Sequence, residues 1–398
     1  MAETYPGIMS SDETLRITLD ASSALEHPLT GVGYVALHQT SALAALNAGL
    51  ELRLFGTRAR GVALPAEWRH AFTRSFVVPS ARRLKLALWS RWNGPPIEWF
   101  CGRVDIAHGL FHLLPAAVAA KRLVTVHDLV VFRHPETHTA ETVRTHQRLL
   151  RHAARNADAL IAVSESCRRD ILEILNVPPE KVFVVPNGVC IEDFEGALDP
   201  AALARCRQQL GLQRDYWIYI GTIEPRKNLT RLLTGYRRIV DRFPDCPDLL
   251  LVGRKGWHAE AIFQAIGELR LENRVYHAGY LPRSDLILLL RNAAACLYPS
   301  LYEGFGLPVL EAMAAGVPVL TSNISALPEV IGPCGVLINP EEPDSLEAGM
   351  ETLHLQPDAC ARMAREARER ARGFSWENSA MRLAQVYRAV HQDEACSM

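Results

Sequence analysis

Residues 295–323 read ACLYPSLYEGFGLPVLEAMAAGVPVLTSN. ACLYPS is a short apolar strand and LYEGFG its exit loop. Pro308 suits the first turn of a helix that Gly316 ends before Pro318. VPVLTSN is the next strand. Strand, helix and strand in this order make one step of a parallel, doubly wound sheet. Ligands in such sheets bind where strands end and helices begin, so Glu303 falls in a binding loop and Glu311 about one turn into the helix. The Gly304-Phe305-Gly306 turn opens that helix, and free backbone N–H groups there suit phosphate. Two carboxylates in the same place repel phosphate. An acid near the positive helix end accounts for Glu311, at roughly a few tenths of a kcal/mol, and leaves Glu303 without a role.

The same alternation runs along the chain. LRITLDA, RLVTVHDL, ALIAVSES and KVFVVPNG precede a break at PNGVCIEDFEGALDPAALA, and YWIYIGTI, DLLLVGRKG, NRVYHAGY, ACLYPS and VPVLTSN follow it. Helical stretches such as ETVRTHQRLLRHAARNA and LTRLLTGYRRIVDRF separate most of them. The expected fold class is α/β, with two Rossmann-like doubly wound domains facing a central cleft. The boundaries are set at 1–197 for the first domain and 198–375 for the second. Residues 376–398 form a C-terminal helix returning toward the first, with Ser375 as N-cap.

Composition removes several classes. The chain has 398 residues, 48% hydrophobic and 22% charged, with a formal net charge of -1, so overall charge favours no class of partner. No apolar run reaches the roughly 18 residues of a membrane span, and the N-terminus carries no signal-peptide pattern. Nine cysteines are scattered without a C-x-x-C pair, which predicts a reduced, cytoplasmic chain with no zinc site.

A second loop supplies positive charge. In YWIYIGTIEPRKNLTRLL, Arg226 and Lys227 stand just before a helix for which Asn228 is a good N-cap. Cations there oppose the helix dipole. An anion bound between them reverses that, since Arg and Lys make charge-assisted hydrogen bonds to phosphate. A ligand with phosphates and vicinal diols reconciles the two loops: phosphates on Arg226, Lys227 and the turn backbone, one diol on each carboxylate. A nucleotide diphospho-sugar has these groups.

With these motifs the chain resembles the retaining GT-B glycosyltransferases, specifically glycosyltransferase family 4, over nearly its whole length. The E-x7-E pair in YEGFGLPVLEAMAAGVPVL together with IGTIEPRKN is the specific part. VGRKGW, SALPEV, VTVHDL, VPNGV and the terminal FSW helix add weaker matches. The resemblance implies that Glu303 contacts the donor sugar, that the amides of Phe305, Gly306 and Leu307 meet its hydroxyls and diphosphate, and that Glu311 holds the ribose. It implies that Arg226 and Lys227 hold the diphosphate and that His127 faces the donor sugar. Transfer with retention and without a bound metal is implied too, and no D-x-D occurs in the sequence. Thr222 stands where many members carry an arginine, a charge that Arg226 can supply. The EPRKN form with VGRKGW is most similar to bacterial polysaccharide mannosyltransferases, which makes GDP-mannose the first donor and UDP-glucose the second. A non-catalytic nucleotide-sugar-binding module and an NAD-dependent oxidoreductase are the readings from other classes.

Three features stay open at this level. Gly31 and Gly33 in HPLTGVGYVA follow the strand LRITLDA too late for a dinucleotide fingerprint; the resemblance makes theirs the loop over donor phosphates and acceptor. His127-Asp128 reads either as a base with its orienting acid or as a satisfied core histidine; the resemblance favours a donor-contacting His127, and Asp128 either positions the loop or contacts the acceptor. Residues 51–155 hold 17 Lys or Arg against seven Asp or Glu. Within them SARRLKLALWSRWNG, residues 80–94, suits an anionic membrane surface and equally a helix burying its leucines. A glycan or lipid-linked glycan is the expected acceptor. No stacking motif or reading helix supports nucleic acid.

Overall fold

The computed structural model describes residues 14–26, 29–46, 48–58, 64–65, 68, 71–79 and 82–392, with the backbone alone at residues 79, 82 and 83. One sheet has seven strands: β1 (Leu15–Asp20), β2 (Leu50–Arg58), β3 (Arg74–Pro79), β4 (Ile106–Gly109), β5 (Lys121–Val126), β6 (Ala159–Ala162) and β7 (Val182–Val184), in the order β3-β2-β1-β4-β5-β6-β7. The other has six: β8 (Tyr216–Ile220), β9 (Asp248–Val252), β10 (Val275–Gly279), β11 (Ala295–Tyr298), β12 (Val319–Ser322) and β13 (Val336–Ile338), in the order β10-β9-β8-β11-β12-β13. Pairing is parallel: Leu15 lies opposite Leu50, and Ile218 opposite both Leu250 and Cys296. YWIYI and DLLLV are buried at every position, as strands of a parallel sheet covered on both faces must be.

Two compact units result. One comprises the described residues of Met1–Thr125, Arg155–Leu160 and Ala380–Met398; the other comprises Val126–Ala154 and Ile161–Ser379. Ser375 caps the last helix through a 3.0 Å bond from the Asn378 N–H. The C-terminal part of that helix belongs to the first unit, where Tyr387 Oη meets His108 Nδ1 at 2.7 Å.

The six-stranded sheet reverses direction at its centre. From β8 the chain steps outward through β9 to β10, and from β11 outward the other way through β12 to β13. The loops leaving the adjacent strands β8 and β11 therefore diverge, and a doubly wound sheet opens its ligand crevice at such a switch point. Both loops named above leave these two strands. The helix after β8, Leu229–Arg242, buries Leu229, Leu232, Leu233, Tyr236, Ile239 and Val240, the spacing of one helical face.

Two local expectations change. Asn228 occupies the N-cap position but adopts a left-handed conformation (φ 61°) and makes no capping bond. Its amide instead donates to the Pro340 carbonyl at 2.8 Å, and its Oδ1 accepts from Arg231. The stretch over residues 80–94 divides. Trp89 is buried and Lys85 is buried against Asp20 at 2.7 Å, while Leu84 and Trp92 are exposed. Ser80, Ala81 and the side chains of Arg82 and Arg83 lie outside the described residues. The eight described cysteines are free thiols, all buried but the half-buried Cys190.

Candidate functional site

At the switch point Arg226 and Lys227 form a single turn, Pro225–Lys227, right after Glu224. Across from them the exit of β11 presents Tyr298, Ser300 and Glu303. Lys227 Nζ lies 2.5 Å and Arg226 Nη1 2.8 Å from Glu303 Oε1. That oxygen also accepts from Ser300 at 2.6 Å and from Tyr298 at 3.0 Å. Lys227 donates further to the Tyr298 hydroxyl at 2.7 Å. Arg226 is held by Glu224 at 2.7 Å and by the Tyr302 carbonyl at 2.7 Å. All four charged side chains are buried or nearly so, Glu224 being only 2% exposed.

Two cations and two carboxylates thus neutralise one another away from water. Burial pushes the Glu303 carboxyl up, but Arg226, Lys227 and the bonds from Lys227 and Ser300 outweigh it and hold the group down at about 2. Burial and the neighbouring Arg226 push Lys227 down, against Glu303 and Glu224. The sequence leaves these cations waiting for an anionic ligand. The structure pairs them with protein carboxylates, because a buried charge without a partner is far more costly than the helix-end effect.

Beside this cluster lies the glycine turn. A Cβ on Gly304 would stand 1.7 Å from the His127 carbonyl oxygen, so only glycine lets the turn approach the end of β5. The Gly304 carbonyl accepts from the Ser164 hydroxyl at 2.7 Å. Gly306, at φ 104°, starts the helix Leu307–Ala314, a conformation costly for any other residue. The N–H groups of Phe305, Gly306 and Leu307 donate to no acceptor among the described residues. They are available to oxyanions at a helix start.

Glu311 stands apart from the cluster around Glu303. It is buried, and its Oε1 takes a 2.5 Å bond from Arg283 Nη1. His127 is buried at the end of β5, and Asp128 Oδ1 accepts from the Val130 N–H at 3.1 Å. Gly31 and Gly33 belong to the first unit. Gly31 opens the helix Gly31–Ala45, and Thr30 caps it by accepting from the Gly33 N–H at 3.2 Å.

Several contributors are not evident from the motifs. Glu224 is inside the EPRKN motif itself and could have been named as the partner of Arg226. Tyr302 Oη donates to Asp170 at 2.5 Å and accepts from the Leu129 N–H at 3.2 Å, while Arg133 holds Asp170 at 2.6 Å. These tie the loop after β5 and the helix carrying Asp170 to the loop carrying Glu303 over 173 and 132 residues of sequence, distances at which no local pattern gives a signal. His138, pushed down by burial and by Arg226, was likewise missed.

The chain is similar to known proteins along most of its length. The family model for glycosyl transferases group 1 matches residues 205–370, and that for Glycosyltransferase Family 4 matches residues 29–193. O-antigen chain mannosyltransferase B of Escherichia coli is 31% identical over 384 residues, covering 93% of this chain and 99% of that protein. Sucrose-phosphate synthase of Thermosynechococcus elongatus superposes with a TM-score of 0.76 at 21% identity, covering 96% of this chain and 100% of that one. Anabaena Alr3699/HepE, solved with UDP and glucose, gives 0.69 at 20% identity, with 94% and 99% coverage. The chain belongs to glycosyltransferase family 4 and is a glycosyltransferase of GT-B fold.

Proposed function

We propose that the protein transfers mannose, with retention, from GDP-mannose to a glycan or lipid-linked glycan in the cytoplasm. The observation that carries this is the meeting of Arg226, Lys227 and Glu303 beside the unbonded amides of residues 305–307. The amides of Phe305, Gly306 and Leu307 with the two cations receive the diphosphate. Glu303 accepts from hydroxyls of the donor hexose, His127 faces the same sugar, and Glu311 accepts from the ribose diol. Negative charge grows on the leaving phosphate oxygen as the glycosidic bond breaks, and preorganised cations lower the barrier there. The acceptor hydroxyl attacks the same face, and the leaving diphosphate takes its proton. Arg226 and Lys227 supply the positive charge, so the reading includes no metal.

Mannose is favoured over glucose from a UDP-sugar because of the likeness to a mannosyltransferase along the whole chain. Unfolding midpoints measured with GDP, UDP and ADP test it, since a ligand of the native state raises the midpoint. GDP alone should do so, and its release from GDP-mannose should require acceptor. A larger shift with UDP would move the donor to the UDP-sugars; nucleotide binding with no transfer to any acceptor would leave a binding module.

An anionic membrane is the second partner in this reading. Trp92, Trp99 and Val118 are 69%, 77% and 80% exposed in the first unit. Segments 92–99 and 116–122 run together, with Asn93 bonded to Arg122 and Glu98 to the Val118 N–H. Residues 72–127 contain eight Lys or Arg and two acids. Both acids are engaged, Glu98 by the amides of residues 118–120 and Asp105 by Arg16. Exposed tryptophans on a segment with an excess of basic residues suit a lipid headgroup region. Binding to phosphatidylglycerol vesicles should fall with salt and with Trp92→Ala/Trp99→Ala. Binding indifferent to both changes would point to a soluble acceptor.

A further inference from the structure

Glu311 lies one turn into the helix Leu307–Ala314, whose other side chains from Val309 to Ala314 are apolar and buried. Four other ionisable groups surround its carboxylate. Arg283 comes from the start of the helix Arg283–Arg291 after β10, Asp193 from the turn Ile191–Phe194, Cys190 from just before that turn, and Cys296 from β11. Of these only Arg283 is a cation. Its guanidinium lies 2.5 Å from Glu311, 3.4 Å from Asp193 and 5.4 Å from the centre of the Phe194 ring.

We propose that Arg283 is a positioning residue of the nucleotide site, aiming the Glu311 carboxylate at the ribose diol and holding its charge there. This rests on the reading of Glu311 as the ribose acceptor. A diol needs an acceptor, and an ionised carboxylate offers about four lone-pair sites, of which Arg283 takes one through Oε1. A protonated carboxyl offers fewer and adds a donor. Burial and the charge of Asp193 both favour that protonated form, and Arg283 opposes them. The ion pairs separate this role from chemistry at the sugar: Glu303 has its own cations in Arg226 and Lys227, while Arg283 holds Glu311. Arg283 therefore serves nucleotide affinity and not the reacting bond.

GDP affinity of the full chain, measured from about pH 4.5 to about pH 8.5 for wild type, Arg283→Gln, Arg283→Lys and Glu311→Gln, tests this. Sign follows from the proton: losing Arg283 raises the Glu311 pKa further, so affinity falls on the acid side. Arg283→Gln should lose affinity relative to wild type by up to about tenfold per pH unit below the raised pKa, recovering at high pH. Arg283→Lys should restore most of the wild-type profile. Turnover of Arg283→Gln at saturating donor should stay near that of wild type, the loss appearing in KM. Titration of the terminal phosphate of GDP is common to all four proteins and cancels in the ratios. A constant ratio of Arg283→Gln to wild type across the range would overturn the role of Arg283 while leaving Glu311 untouched. Wild-type affinity in Glu311→Gln would instead remove the ribose reading and the inference with it.

Discussion

Replacing Lys227 by alanine tests the proposed chemistry most directly. Its Nζ is the 2.5 Å partner of Glu303 and a donor to Tyr298 in the free protein, and in the proposed reaction it faces the leaving diphosphate. Two separable losses follow. In the transition state one charge-assisted contact disappears, which should cost about 2–4 kcal/mol and so about two to three orders of magnitude in turnover. In the free protein the buried cluster drops from neutral to one net negative charge.

The second loss is smaller than for an isolated pair. Glu303 keeps Arg226 at 2.8 Å, Ser300 at 2.6 Å and Tyr298 at 3.0 Å. Breaking a buried pair outright costs about 3–5 kcal/mol. With three partners remaining, about 1–3 kcal/mol is expected, the penalty of an under-satisfied buried group. Urea unfolding without ligand reads the stability change; GDP release at saturating donor and acceptor reads turnover. Lys227→Arg should recover most of the stability but only part of the turnover, because a planar fork replaces a compact charge. Near-wild-type turnover in Lys227→Ala would refute the leaving-group role whatever the stability does.

The remaining expectations concern the same loops. Glu303→Gln should lose stability at neutral pH, and the deficit should shrink as pH falls from 4.5 toward 2. A carboxylate held down at about 2 contributes its stability above the unfolded value of 4.5 and loses it as pH drops through the folded one; urea unfolding at a series of pH values reads this. The same variant should bind free GDP at least as tightly as wild type, since a charge competing with diphosphate for Lys227 is gone, while transfer collapses; weaker GDP binding would contradict that competition. Gly304→Ala forces a Cβ to 1.7 Å from the His127 carbonyl and should destabilise the chain by at least about 3 kcal/mol in urea unfolding. A Cβ on Gly31 would meet nothing within 4 Å. Gly31→Ala should therefore stay within about 0.5 kcal/mol of wild type in stability, so any loss of transfer in it reports a lost ligand contact.

The doubly wound architecture was legible because its central strands are continuous apolar runs and its glycine turns are punctuated. The four strands absent from the sequence reading each break that signal for a physical reason. β2 carries a buried Arg53, tolerable because Cys101 and Arg103 carbonyls accept from its guanidinium at 2.7 and 2.5 Å. β3 is the exposed edge, β4 is IAHG, a run broken by a histidine and a glycine, and β13 is VLI with Leu337 exposed. At the site, Glu303, Arg226 and Lys227 were visible as motifs. Their mutual pairing was not, because it joins loops 76 residues apart. Arg283 gave no signal, since its meaning depends on Glu311 lying across a strand crossover from it.

The pairing also explains how acids and a phosphate site coexist. A cluster of two cations facing only a future ligand would repel itself in the empty protein, and a lone buried carboxylate would take up a proton. Each of the two motif acids is instead matched by a cation on a neighbouring loop: Glu303 by Arg226 and Lys227 after β8, Glu311 by Arg283 after β10. In the proposed complex each acid turns lone pairs to sugar hydroxyls, while the cations of the first pair turn toward phosphate. Charge is redistributed among partners already in place, and little solvent has to be reorganised when the glycosidic bond breaks. That is the condition under which fixed charges lower a barrier most. It also accounts for the E-x7-E spacing: seven intervening residues span the turn and the first helical turn, placing one acid with Arg226 and Lys227 and the other about one helical turn along, with Arg283.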